Sequence, residues 1–137
     1  MIVITCIDDN GGTIFNHRRQ SQDRILRAKI VELVGSTRLW MNQYSAAQFE
    51  DCNLPNCTVD EDFLQRANPG EYCFVEGTPL MPVSEKLEKV ILFRWNRTYP
   101  SDQKLDLVLT EDGWVQEVVA DFEGYSHEKI TMEVYVR

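Results

Sequence analysis

From Met1 to Ile7 the chain is almost continuously apolar and rich in Ile and Val, and it then runs into Asp8-Asp9-Asn10-Gly11-Gly12. That pattern predicts a buried strand followed by a turn. Leu26, Ile30, Leu33 and Val34 recur at helical spacing. They predict a helix starting at Gln22, with Ser21 as its cap and Gly35 as its stop. Shorter elements follow: a strand over 38–41, a helical piece over 45–49 and a loop over 51–58 containing Pro55. A short helix is expected over 59–67, opening on Asp60 and closing at Asn68-Pro69-Gly70, and then a strand over 71–75. Pro79 and Pro82 leave 79–88 only partly helical. Lys89 to Trp95 reads as a central strand, 105–109 as strand-like, and 114–122 as a further strand. Ile130, Met132, Val134 and Val136 alternate with Thr131, Glu133, Tyr135 and Arg137. Alternation of that kind predicts a half-buried antiparallel strand. The order of elements implies an α/β fold whose central sheet is mostly parallel with an antiparallel C-terminal edge.

Composition narrows the class. At 137 residues and 43% hydrophobic, the chain fits one domain over 1–137 that buries a core without disulfides or metal. No apolar run approaches the ~20 residues of a membrane span. The start MIVITCIDD lacks the layout of a signal peptide, so a cytoplasmic protein is expected. Cys6, Cys52, Cys57 and Cys73 form no C-x-x-C pair and read as free thiols. His17 and His127 are the only histidines, so no metal site is expected. His127 reads as a strand-end or surface residue. A Ser or Cys nucleophile with a His base stays open, because such sets are assembled in space. Trp40, Trp95 and Trp114 read as core or edge packing. Acidic neighbours (Glu111 and Asp112 beside Trp114) argue against a nucleic-acid stacking platform.

The net charge of −8 disfavours a nucleic-acid partner. Its distribution says more. Residues 17–29 carry Arg18, Arg19, Arg24, Arg27 and Lys29 against Asp23 alone, net +4. Residues 39–85 carry eight acids and only Arg66, net −7. An anionic ligand should favour the first stretch and avoid the second.

Several segments are similar to dihydrofolate reductase. At the front, Met1 to Asp9 and the Gly11-Gly12 loop resemble that family's first strand and active-site loop. Val59-Asp60-Glu61-Asp62-Phe63-Leu64 and Gly70 to Gly77 resemble its short helix, strand and Gly-Gly turn. Lys86 to Leu92 resembles its next strand, and Ser126-His127-Glu128-Lys129 leading into Val134 to Arg137 resembles its last. The resemblance implies a three-layer fold with few short helices. It also implies that Asp23 is the catalytic carboxylate of the first helix, which binds the pterin's amidine-like edge. Asp23, Leu26, Arg27 and Ile30 share one helix face, where a desolvated carboxylate has a raised pKa. The alternative is that Asp23 serves the helix dipole.

The departures concern the cofactor. The resemblance implies an arginine after the second strand that grips a 2′-phosphate, yet Trp40-Met41-Asn42-Gln43-Tyr44-Ser45 contains no base. Glu76-Gly77-Thr78 stands where a Gly-Gly turn receives a pyrophosphate, and Pro79 removes an amide donor. Phe93 replaces the threonine that braces the carboxylate, which makes it a ligand-pocket residue. Residues 49–62 are too short for the family's middle strands, and no arginine there matches the one that binds folate's glutamate tail.

The reading that follows is a non-catalytic or diverged module. It would bind a small heterocycle or anion near Asp23, Arg18, Arg19 and Arg27, and would use no cofactor. One alternative is an NADPH-dependent reductase of dihydrofolate or a related pterin. Another is a structural or oligomeric protein without a pocket, self-associating through exposed aromatics.

Overall fold

The computed structural model describes residues 1–111 and 113–137; Asp112, one of the two acids beside Trp114, lies outside them. The first strand, β1 (Ile2–Ile7), is followed by β2 (Gly12–Phe15) and β3 (Arg18–Arg19). Helix α1 (Arg24–Val34) leads to β4 (Leu39–Met41), α2 (Gln43–Ala47), β5 (Cys57–Val59), α3 (Phe63–Arg66) and β6 (Tyr72–Phe74). A 3-10 helix at Met81–Lys86 precedes β7 (Lys89–Arg94), β8 (Gln103–Lys104), β9 (Val115–Phe122) and β10 (Ile130–Val136).

Seven strands form one sheet in the order β5-β4-β6-β1-β7-β10-β9. β1 lies in its middle, parallel to β6 and β7, while β10 runs antiparallel to β7 and to β9. β2, β3 and β8 make a small antiparallel sheet beside it. β1 explains the layering. Its side chains alternate, so Ile2 and Ile4 join α1 residues Leu26, Ile30 and Val34 in one core cluster. Val3 and Ile7 join Phe63, Leu80, Leu92, Leu107 and Leu109 in the other. A strand covered on both faces has no polar side to show, which is why its sequence is a continuous apolar run.

Three readings of the pattern need correction. The α1 cap is Asp23, not Ser21: Asp23 is extended (φ −153°, ψ 131°) and accepts from the amides of Ile25 and Leu26. Residues 49–62 do hold a middle strand, β5, paired to β4 through Leu39↔Cys57 and Met41↔Val59. The alternation of Leu105, Leu107 and Leu109 is not a strand. Leu107 and Leu109 are buried against the second core cluster, while the ladder residues are those of β8 just before them. The last strand, β10, is covered on both faces near its end, with Val134 in one cluster and Tyr135 in the other.

No helix among the described residues is long and apolar enough to cross a membrane. All four cysteines are free. Ile30 is 1% exposed beneath the sheet. Ile30→Ala should therefore lower unfolding free energy by about 2–5 kcal/mol, read from urea denaturation, with the denaturant slope unchanged.

Candidate functional site

Among the described residues, Asp23 carries the most side-chain hydrogen bonds. Its Oδ1 accepts from the amides of Ile25 (2.9 Å), Leu26 (3.2 Å) and Tyr125 (3.0 Å). Its Oδ2 accepts from the Ser126 amide (2.9 Å) and hydroxyl (3.2 Å) and lies 2.8 Å from His127 Nδ1. Burial pushes the carboxyl up, but the Tyr125 amide, the His127 ring and the Ser126 and Leu26 amides outweigh it. The net effect holds Asp23 below the usual carboxylate range, opposite to the shift that desolvation alone predicts.

His127 is buried, 4% exposed, rather than at a strand end or on the surface. It stacks on Trp95 at 4.6 Å between ring centres, and its Nε2 lies 2.9 Å from Ser21 Oγ and 3.1 Å from Tyr99 OH. Gly124 lets this loop close. A Cβ there would stand 2.8 Å from Asp23 Oδ2 and 3.0 Å from the His127 carbonyl oxygen. The Tyr99 end is fixed by Asp8, fully buried at the end of β1, which accepts from the amides of Asn10, Gly12 and Tyr99. Desolvation works against the Asp8 charge, but those amides win and hold its carboxyl low. No spacing rule signals the Asp23–His127 contact, because its partners are 104 residues apart.

The second polar cluster surrounds Glu76. Arg19 donates to it through Nε (2.8 Å) and a terminal nitrogen (3.1 Å). Ser45 Oγ (2.8 Å) and Gln48 Nε2 (3.0 Å) also donate to Glu76 Oε1. Arg19 further lies 4.3 Å above the Tyr44 ring. A paired guanidinium of this kind is no longer a free anion receptor.

The other arginines do not converge. Arg18 is exposed on β3 and lines a separate surface hollow with Phe15, Asn16, Tyr99 and Pro100. Arg24 lies over Tyr125. Arg27 reaches Gln22 Oε1 at 3.3 Å and borders the cavity beside Asp23. That cavity, bounded also by Ser21, Arg19, Gln20, Glu76 and Trp95, has a volume of only about 20 Å³. A single water needs roughly 10–15 Å³ by the same measure, so a fused heterocycle has no room. Phe93 does not face it. It is fully buried in β7, edge-on to Phe122.

Gly77 has φ +82°, and a Cβ there would meet Ile14 Cγ1 at 2.3 Å. The β2 hairpin thus packs directly on the turn Glu76-Gly77-Thr78. Asp106 takes the amides at the start of the following 3-10 helix, accepting from Leu80 and Met81 at 3.0 Å each. Between these features lies a larger cleft of about 230 Å³, lined by Thr5, Thr13, Val75, Gly77 to Leu80 and Gln103 to Asp106. No group of three or more His, Cys, Asp or Glu residues among those described is placed to hold a metal ion.

The lowered Asp23 carboxyl adds stability that is complete above the ordinary carboxylate range and disappears as pH falls through that range and below it. Asp23→Asn should cost about 1–3 kcal/mol at pH 7, since an amide cannot accept at all these sites. Melting curves between pH 7 and 3 should show the wild type losing more of its stability than Asp23→Asn does. Parallel curves would refute the assignment.

No family model and no curated protein sequence matches the chain. In three dimensions it is similar to dihydrofolate reductase from Enterococcus faecalis, solved in complex with NADP(H) and RAB-propyl. The superposition has a TM-score of 0.71 at 12% identity and covers 99% of this chain and 95% of that one. An identity this low speaks to architecture alone: the chain has a dihydrofolate-reductase-like fold.

Proposed function

We propose that the chain is a small-ligand-binding module that has kept this fold without its hydride-transfer reaction. The observation that carries the reading is the placement of Glu76 and Asp106. The structural relative carries NADP(H). In this chain a carboxylate, Glu76, sits beside the Gly77 turn, and a second, Asp106, already occupies the amides of Leu80 and Met81. Ile14 covers Gly77 itself. A dinucleotide phosphate here would meet Glu76, already matched by Arg19, and the Asp106 carboxylate, and would find the Leu80 and Met81 amides taken, so these residues do not fit that cofactor.

The cleft along Gly77 to Leu80 suits a different guest. Threonine hydroxyls (Thr5, Thr13, Thr78) and the Gln103 amide border an apolar surface of Val75 and Leu80. Lys104 and Asp106 contribute one charge of each sign. A neutral heterocycle of one or two rings matches that lining better than an anion.

A panel of pterins, purines and nucleotides should separate these cases by thermal shift. A neutral pterin or purine should raise the melting temperature of the wild type and not of Thr78→Trp, whose indole fills the cleft. NADPH should give no shift and no oxidation with dihydrofolate. A panel without a single shift, or dihydrofolate-dependent NADPH oxidation, would sink the proposal.

A further inference from the structure

Ser21, His127 and Asp23 form a connected series that the cleft does not use. Asp23 Oδ2 lies 2.8 Å from His127 Nδ1, and His127 Nε2 lies 2.9 Å from Ser21 Oγ. The Asp23 carboxylate is ionised, and an ionised carboxylate only accepts, so Nδ1 carries the imidazole proton. In a neutral imidazole with that tautomer, Nε2 offers its lone pair to the Ser21 hydroxyl. This is the acid–imidazole–hydroxyl relation that activates serine for attack on a carbonyl.

Three further observations set it apart from a simple helix cap. The ring is held in place, because Trp95 stacks on it and Asp23 is itself fixed by four backbone amides outside the relay. Ser21 lies outside regular structure, is half-buried and lines the 20 Å³ cavity. Gln20 Oε1 lines the same cavity and is a buried acceptor with no partner among the described residues.

We propose that Ser21 is the nucleophile of an acyl-transfer site for esters of small acyl groups. His127 is the general base, and Asp23 is a positioning residue acting through His127. Ser21 Oγ bonds to the acyl carbon while its proton passes to His127 Nε2. The bond from acyl carbon to leaving oxygen breaks, and that oxygen takes the proton from Nε2. Water then repeats the sequence on the acyl-serine, freeing the carboxylic acid and restoring the hydroxyl. The small cavity volume favours the smallest acyl groups. Arg27, whose guanidinium reaches the Gln22 side chain, borders the same space and favours a substrate whose alcohol portion is anionic. The site shares Thr13 and Val75 with the lining of the Gly77–Leu80 cleft but none of its reacting groups, and the proposal stands independently of any ligand there.

The full chain would be treated with a fluorophosphonate and the adduct located by peptide mass spectrometry. One adduct per chain on Ser21 is expected, and none in Ser21→Ala, which removes only a half-buried hydroxyl. Asp23→Asn and His127→Gln should slow labelling at least about a hundredfold while circular dichroism shows the fold intact. Tyr99→Phe removes the competing hydroxyl at 3.1 Å and should label as fast or faster. 4-Nitrophenyl acetate should be hydrolysed in preference to the octanoate. An unlabelled Ser21 in folded wild type, or folded Asp23→Asn labelling at the wild-type rate, would overturn the proposal.

Discussion

The carboxylate of Asp23 is the constraint from which much of this molecule follows. A buried negative charge survives only when its lone pairs are met. Here two amides come from α1, two from residues 125 and 126, and an imidazole from His127. The same group therefore starts the helix, docks the loop before β10 and orients the ring that stacks on Trp95. Removing any one partner leaves the others holding a charge in low dielectric, which makes the arrangement all-or-none in character.

The apolar strands were legible because burial on both faces leaves a continuous signal. β1, β6 and β7 announce themselves in that way, and α1 does so through Leu26, Ile30 and Val34. What escaped the pattern has identifiable causes. β2, β3 and β8 are two to four residues long, and their ladder bonds do not depend on side-chain type. β5 is half-exposed and follows Pro55, so it carries no apolar run. Ser21 and Asp23 are both good caps, and the choice between them is settled by tertiary partners far along the chain. The candidate site was legible only in outline. Asp23 stood out through the family resemblance, yet neither the burial of His127 nor the pairing of Arg19 with Glu76 leaves a mark at short range.

The charge asymmetry keeps its meaning in altered form. The positive stretch does not converge on an anion: Arg19 is matched by Glu76, while Arg24 and Lys29 lie over Tyr125 and Phe122. The acidic stretch contributes Glu76 to the interior and Asp60 to a surface pair with Arg66. Opposite charges separated in sequence are thus partly reunited in space. The sheet's stability resides in the two apolar clusters, away from these polar exchanges.

The separation between Asp23 and its loop partners, 102 to 104 residues, also bears on how the chain reaches this state. Helix α1 can nucleate early from local contacts, yet half of its capping charge stays unmet until the last strand region has been synthesised. β1 likewise waits for β7, and β7 for β10. Productive closure is therefore a late, non-local event with a high loop-entropy cost, the regime in which folding is slow. During synthesis the N-terminal half emerges with an exposed apolar strand and a half-satisfied carboxylate, a species that depends on the C-terminal segment to complete it.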